Sequence, residues 1–143
     1  MLAICYDYSM AQVNCKKICF VVAADMTLVF FLVSKMKFLE GKGYEVSAVC
    51  SPGPRVAGLR QAGVLVTEIF INRGTFTPFS DAVSLVNLYR YFKKERFDAV
   101  FTFTPKPGLL GQLAARMAGV PIVCNTIFGF YFHDHMPDFL RRF

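Results

Sequence analysis

No G-x-G-x-x-G follows the first apolar run of this chain, and no G-x-x-x-x-G-K-[ST] or G-x-S-x-G occurs anywhere. A dinucleotide-binding fingerprint, a P-loop and a serine-hydrolase elbow are therefore all disfavoured. The five cysteines, Cys5, Cys15, Cys19, Cys50 and Cys124, are odd in number and irregularly spaced, without a C-x-x-C pair. That argues against a disulfide or zinc framework and for a reduced, cytoplasmic setting. Cys19, Cys50 and Cys124 sit in apolar runs, where a buried inert thiol is expected. Tryptophan is absent, but sixteen phenylalanines and a 55% hydrophobic composition exclude a disordered segment.

A membrane-spanning run is missing too. ICFVVAADMTLVFFLV (18–33) falls short of the roughly 20 apolar residues a spanning helix needs, and Asp25 interrupts it. Residues 1–15 lack the basic start and long apolar centre of a signal peptide, and read as a disordered extension. Internal repeats, low-complexity segments and linkers are absent. The net charge of +6 suits contact with phosphates on nucleotides, anionic lipids or nucleic acid. No basic block is long enough for a nucleic-acid arm, so nucleic acid is not an expected partner. A length of 143 residues gives one domain with a real core, placed at 16–143.

What is present is an alternation of short β-rich runs and longer helical ones. Strands are expected at 18–23, 44–50, 64–71, 98–103 and 120–126. Helices are expected at about 27–41, 55–62, 81–95 (capped by Ser80) and 107–118. In the first helix Leu28, Leu32, Met36 and Leu39 form one stripe. In the third, Ala82, Leu85, Tyr89 and Phe92 share a face with Ser84 turned away. In the last, Leu110, Leu113, Ala114 and Met117 do so. Five strands separated by four helices give a parallel α/β sheet covered on both faces, a Rossmann-like doubly wound fold with strand order 3-2-1-4-5.

In such sheets ligands bind beyond the carboxyl ends of the strands where the order reverses. That crevice is expected between the loop holding Asp25 and Thr27 and the loop TPKP (104–107). Pro105 and Pro107 stiffen the backbone around Lys106, and a helix N-terminus there favours an anion. Lys106 at that position reads as a site residue, against the plain alternative of an exposed loop lysine. Gly108 and Gly111 are better explained by close approach of helix to sheet. Asp25 either caps the first helix or binds a sugar hydroxyl, capping being the commoner role. Arg73 reads as solvated. RYFKKERF (90–97) mixes aromatics and cations as a membrane-surface helix would, although such a pattern more often marks a packed face beside a solvated one. In NTIFGFYFHDHMP (125–137), Gly129 allows a turn before His133, Asp134 and His135. These suit a general base with its orienting partner, or equally a solvated loop. H-D-H without a further cluster is a weak metal signal, and no metal or cofactor is expected.

Two stretches, KKICFVVAADMTLVFFLVSKMKFLEGKGYEVSAVCSPG and FDAVFTFTPKPGLLGQLAARMAGVPIVCNTIFGFYFH, resemble the N-terminal domain of glycosyltransferase family 4. The segment TPKPGLLGxLAARMAGVP is the most specific part. The resemblance implies one half of a two-domain GT-B enzyme that transfers a sugar from a nucleotide-sugar donor, usually with retention, in polysaccharide or glycolipid assembly at the inner face of the membrane. It implies that this half holds the sugar or lipid-linked acceptor, that the donor-binding domain is a missing partner in cis or in trans, and that the chain is inactive alone. A stand-alone scaffold subunit paired with a separate donor-binding chain is the alternative. Peripheral contact with an anionic membrane is a further implied partnership. The implied substrate-binding residues are Asp25, Thr27, Thr104, Lys106, Gly108 and Gly129, with His133 as the catalytic candidate. Two departures stand out. Phe128 occupies the place where relatives often carry a cleft histidine, and Val33, Ser34 and Lys35 stand where many place a histidine and an arginine. Phe128, Phe130, Tyr131 and Phe132 are candidates for an apolar patch on the cleft face, which implies self-association or poor solubility of an isolated half.

Overall fold

The computed structural model describes residues 2–6, 15–72 and 77–127. In chain order these form β1 (Leu2–Tyr6), β2 (Lys17–Val21), α1 (Asp25–Thr27), a π-helical turn (Leu28–Leu32), α2 (Val33–Gly41), β3 (Glu45–Cys50) and α3 (Val56–Gln61). Then follow β4 (Leu65–Glu68), α4 (Pro78–Glu95), β5 (Ala99–Phe103), α5 (Pro105–Ala118) and β6 (Ile122–Ile127). One sheet carries the order β1-β6-β5-β2-β3-β4. From β2 onward all pairings are parallel, and the last five strands take the 3-2-1-4-5 order expected from the sequence. The fold is a Rossmann-like doubly wound α/β domain.

β1 is the departure. Residues 1–15 read as a disordered extension, yet Leu2–Tyr6 runs antiparallel to β6, with Leu2 opposite Ile127 and Tyr6 opposite Val123. The physical reason is the edge. Without β1 the last parallel strand would present a row of unpaired N–H and C=O groups, and the apolar LAICY segment can satisfy them.

The strands β2, β3, β5 and β6 are largely buried on both faces, which is why they read as unbroken apolar runs. From β2, Ile18 and Phe20 join a core with Leu28, Leu32, Met36, Val46 and Ala48. Cys19 and Val21 join a second core on the opposite face with Leu88, Phe92, Val100, Leu110 and Ala114. Burial pushes the Cys19 thiol up to about 12 and the Cys50 thiol to about 11. Both therefore stay protonated and inert near neutral pH, as expected.

The helical stripes came out unequally. Leu28, Leu32 and Met36 are fully buried as expected. In α4 the inward line is Ser84, Leu88 and Phe92, so Ser84 faces the sheet instead of solvent. Its hydroxyl is shared between the carbonyls of Phe70 (2.7 Å) and Ser80 (2.8 Å), which removes the penalty of burying it. α4 begins at Pro78, so Ser80 lies inside the helix and does not cap it. In α5 the inward residues are Pro107, Gly108, Leu110, Gly111, Ala114 and Ala115, while Leu113 and Met117 are exposed. The aromatics of the 90–97 stretch are packed: Phe92 and Phe97 are buried and meet edge to face. At the start of β2, the Lys17 ammonium bonds Glu95 at 2.7 Å and lies 5.3 Å from the Phe97 ring centre.

Candidate functional site

Three loops leave the carboxyl ends of β2, β3 and β4 side by side, and each is tied to the next. Asp25 is the first residue of α1. Its carboxylate accepts the backbone N–H of Met26 at 2.7 Å and, across the gap, that of Arg55 at 3.0 Å. Asp25 lies inside α1, whose N-cap is Ala24, so it does not cap that helix as expected; instead its one side chain serves donors at the start of two helices. Gly53 makes room for this latch. A Cβ at Gly53 would lie 2.5 Å from Asp25 Oδ2, closer than atoms can sit. Ser51 ties the third loop in: its hydroxyl accepts the N–H of Ile71 at 2.9 Å and donates to the Ile71 carbonyl at 3.1 Å.

These loops enclose a pocket of about 710 Å³ lined by Ala23–Thr27, Ser51–Arg55 and Phe70–Asn72. Apolar contact surface comes from Met26 and Phe70, both partly exposed. Polar groups come from Thr27, Asn72 and the exposed Arg55. A concave mix of apolar walls and a few polar groups, one of them a guanidinium, suits a sugar carrying phosphate. Asp25 and Thr27, expected in a crevice against the TPKP loop, line this pocket instead, together with Arg55, Ser51 and Asn72, which sequence reasoning did not single out. SPGP read only as a turn, although a serine directly after a strand is a signal that could have marked it.

The TPKP loop lies on the other side of β2 and does not line this pocket. There the Lys106 ammonium donates to Thr77 Oγ1 at 2.7 Å and pairs with Asp81 Oδ1 at 3.0 Å, both at the start of α4. Thr77 in turn donates to Asp81 at 3.0 Å. The triangle is largely sheltered, with side-chain exposures of 17% for Lys106 and 20% for Asp81. Burial alone would raise the Asp81 carboxyl, but hydrogen bonds from Lys106 and Thr77 outweigh it and hold it below its ordinary value. Lys106, expected to point at a ligand phosphate, joins the starts of α4 and α5. The prolines at 105 and 107 also remove two of the N–H groups that a helix N-terminus would offer an anion.

Thr104 has φ 72° and ψ 161°, a region normally left to glycine. This strain turns the chain from β5 into α5 within one residue. Gly108 then meets the sheet so closely that a Cβ would lie 2.9 Å from Asn125 Oδ1. It therefore acts as a contact point between helix and strand. Gly111 does the same against Thr102, whose hydroxyl donates to Cys124 O (3.2 Å) and Asn125 Oδ1 (3.0 Å). Gly129, His133, Phe128, Arg73 and the aromatics 128–132 lie outside the described residues. Among the described residues, no group of His, Cys, Asp or Glu is placed to hold a metal. No helix among them is long and apolar enough to cross a membrane.

Comparison with known proteins bears on this geometry. The family described as glycosyl transferase 4-like matches residues 17–142. The chain is 52% identical over 102 residues to the Escherichia coli UDP-Gal:alpha-D-GlcNAc-diphosphoundecaprenol alpha-1,3-galactosyltransferase, covering 71% of this chain and 26% of that protein. It is 32% identical over 95 residues to the Staphylococcus aureus capsular polysaccharide biosynthesis glycosyltransferase CapM, covering 66% of this chain and 24% of that one. The chain thus spans about a quarter of the length of these curated relatives. Among solved structures, Acinetobacter baumannii MurG superposes with a TM-score of 0.63 at 27% identity, over 78% of this chain and 34% of its own. A Rickettsia africae glycosyltransferase shares the fold at a TM-score of 0.65 and 20% identity, over 91% of this chain and 33% of that one.

Proposed function

Because the chain belongs to the glycosyl transferase 4-like family, we propose that it is the acceptor-side half of a nucleotide-sugar-dependent glycosyltransferase of glycolipid or polysaccharide assembly. The observation that carries this reading is the pocket of about 710 Å³ formed by the loops after β2, β3 and β4. The reading assigns it to a sugar diphosphate on a lipid, of the N-acetylglucosaminyl kind that the Escherichia coli relative's name specifies. Thr27 and Asn72 bond sugar hydroxyls, Phe70 and Met26 cover an apolar face of the ring, and the Arg55 guanidinium meets the diphosphate.

Asp25 and Ser51 bind no substrate in this scheme. They hold the three loops at fixed spacing, so the acceptor hydroxyl is presented in one orientation. The donor nucleotide is held by a second domain. As its anomeric carbon–oxygen bond to the diphosphate breaks, the acceptor oxygen bonds that carbon, and the acceptor proton leaves with the departing phosphate. Stabilising that diphosphate is the work of the donor-binding half. Transfer proceeds with retention, at the inner face of the membrane where the lipid-linked acceptor is exposed.

The test is kinetic, with the complete transferase, UDP-galactose as donor probe and an N-acetylglucosaminyl diphosphate on a short, water-soluble alkyl chain as acceptor. Arg55→Ala is expected to raise the acceptor KM about tenfold, the loss of one charge-assisted contact, with kcat little changed. An unchanged acceptor KM would remove the pocket from the reaction.

A further inference from the structure

The sheet face under α4 is covered unevenly. Cys19, Val21 and Val49 lie in the core that this helix closes, together with its Leu88 and Phe92. The parallel register carries the same face on to the amino ends of the strands. Glu45 stands beside Lys17, Ser47 beside Cys19, Leu65 beside Ser47 and Thr67 beside Val49. At that corner Leu65 is 67% exposed, an apolar side chain left open on the sheet. Tyr91 and Glu95, in the last turns of α4, wall the corner into a pocket of about 470 Å³.

Its polar groups are not all satisfied. Ser47 Oγ is buried in the pocket floor without a hydrogen-bond partner. The Cys19 thiol and the Tyr91 hydroxyl are its neighbours, yet neither meets it in hydrogen-bonding geometry. A buried hydroxyl left unpaired costs stability that alanine would not, so packing of the strand does not explain it. Beside it, Thr67 and Tyr91 share one hydrogen bond of 3.1 Å. Each hydroxyl carries a proton and that bond uses one of them, so the pair keeps a donor to spare. Glu45 makes no ion pair among the described residues. Lys17 lies near it, but that ammonium is taken by Glu95 at 2.7 Å. An unmet hydroxyl, a spare donor and a free carboxylate thus surround the apolar ledge of Leu65. These complement an uncharged sugar ring, whose hydroxyls each donate and accept and whose C–H groups form an apolar face. A phosphate is refused, since Glu40, Glu45 and Glu95 line the pocket against Lys17 alone.

We propose that this pocket is a binding site for an unphosphorylated saccharide, separate from the acceptor pocket. Leu65 carries the C–H face of the ring, Glu45 accepts from its hydroxyls, and Ser47 and the Thr67–Tyr91 pair complete the bonds. The two pockets lie at opposite ends of the strands, about 17–20 Å apart for strands of ordinary length. One sugar ring therefore cannot occupy both. The role of the site, though not the binding itself, rests on the reading of the chain as half of a glycosyltransferase of glycolipid or polysaccharide assembly. There it retains sugars already linked and raises the effective concentration of the glycan near the enzyme.

Titration of the isotope-labelled full chain with N,N′-diacetylchitobiose, an uncharged disaccharide, tests the proposal through amide chemical shifts. Shifts are expected at Ser47, Leu65 and Thr67, with dissociation in the millimolar range. Ser47→Ala should weaken binding about tenfold while leaving the urea midpoint unchanged or higher, because the hydroxyl has no partner to lose. Glu45→Gln, at an exposed position, should weaken binding several-fold without unfolding the chain. Inorganic phosphate should leave the three amides where they are. Arg55→Ala alters only the acceptor pocket and should leave the disaccharide shifts in place, so the two sites are scored separately. Absence of shifts at these amides, or shifts confined to the loops after β2, β3 and β4, overturns the proposal. So do equal binding by Ser47→Ala and Glu45→Gln, a lowered urea midpoint for Ser47→Ala, or a response of the same amides to phosphate.

Discussion

At Lys106 the sheltered triangle with Asp81 and Thr77 makes a charge-removing substitution readable. Lys106→Met leaves the Asp81 carboxylate with only Thr77, so the variant should melt a few degrees lower at neutral pH. The pH dependence has a definite sign. A carboxyl held below its ordinary value contributes stability that is fully present above the unfolded value, near 3.9, and is lost as pH falls through the lower folded value. The Asp81 carboxyl is such a group, held down by Lys106 and Thr77. Melting temperature followed across the acid range should therefore fall less steeply below about pH 4 in the variant than in the wild type. Equal acid limbs would mean that the pair does not form. Thr104 gives a second test of opposite sign. Its backbone at φ 72° and ψ 161° holds strain of about 1–3 kcal/mol that glycine would not feel, partly offset by the entropy glycine loses on folding. Thr104→Gly should raise the urea midpoint. A drop in stability would show the turn to be unstrained. Lys106 was legible in the sequence as a rigidly placed cation, but its target was not. Asp81 and Thr77 lie 25 and 29 positions earlier, and nothing local links them to it.

Among the elements, α5 shows why periodicity succeeded in one helix and failed in another. Counting large apolar residues puts Leu113 and Met117 in the core, yet both are exposed, and Gly108, Gly111, Ala114 and Ala115 are buried. A helix lying close over a sheet needs small residues at the contact, so bulk moves outward and the signal inverts. The α1–α2 stripe was legible because Leu28, Leu32 and Met36 fill a wider gap. Gly111→Ala measures the closeness of α5 directly. The added Cβ would lie 2.7 Å from Thr102 Cγ2, and Thr102 is fully buried and tied by its hydroxyl to β6. Neither side can yield, so the variant should lose about 1–3 kcal/mol by urea unfolding. A loss under half a kcal/mol would show that α5 can lift away from the sheet. β1 was illegible for a different reason: a five-residue strand is specified by the open edge of β6 rather than by its own pattern.

For the whole molecule, the order of the five parallel strands could be read from alternation and handedness alone, but the pocket could not. Its walls come from three loops, and the side chains that fix their spacing act across 30 positions at Asp25–Arg55 and 20 at Ser51–Ile71. The proposed division of labour between halves gives the last test. The chain covers about a quarter of its curated relatives, and the pocket it contains is assigned to acceptor. Calorimetry on this chain should thus show binding of the water-soluble N-acetylglucosaminyl diphosphate and none of UDP-galactose, with no transfer on mixing both. Adding a donor-binding half as a separate chain should restore turnover if the faces dock without a covalent link, which is how a scaffold subunit would work. If only a continuous chain is active, the link supplies the effective concentration that brings the halves together. Tight binding of the nucleotide sugar without the acceptor would reverse the assignment and make the pocket a nucleotide site. The Arg55 guanidinium serves a diphosphate in either case, so the calorimetry distinguishes two assignments that the pocket's charge leaves equal.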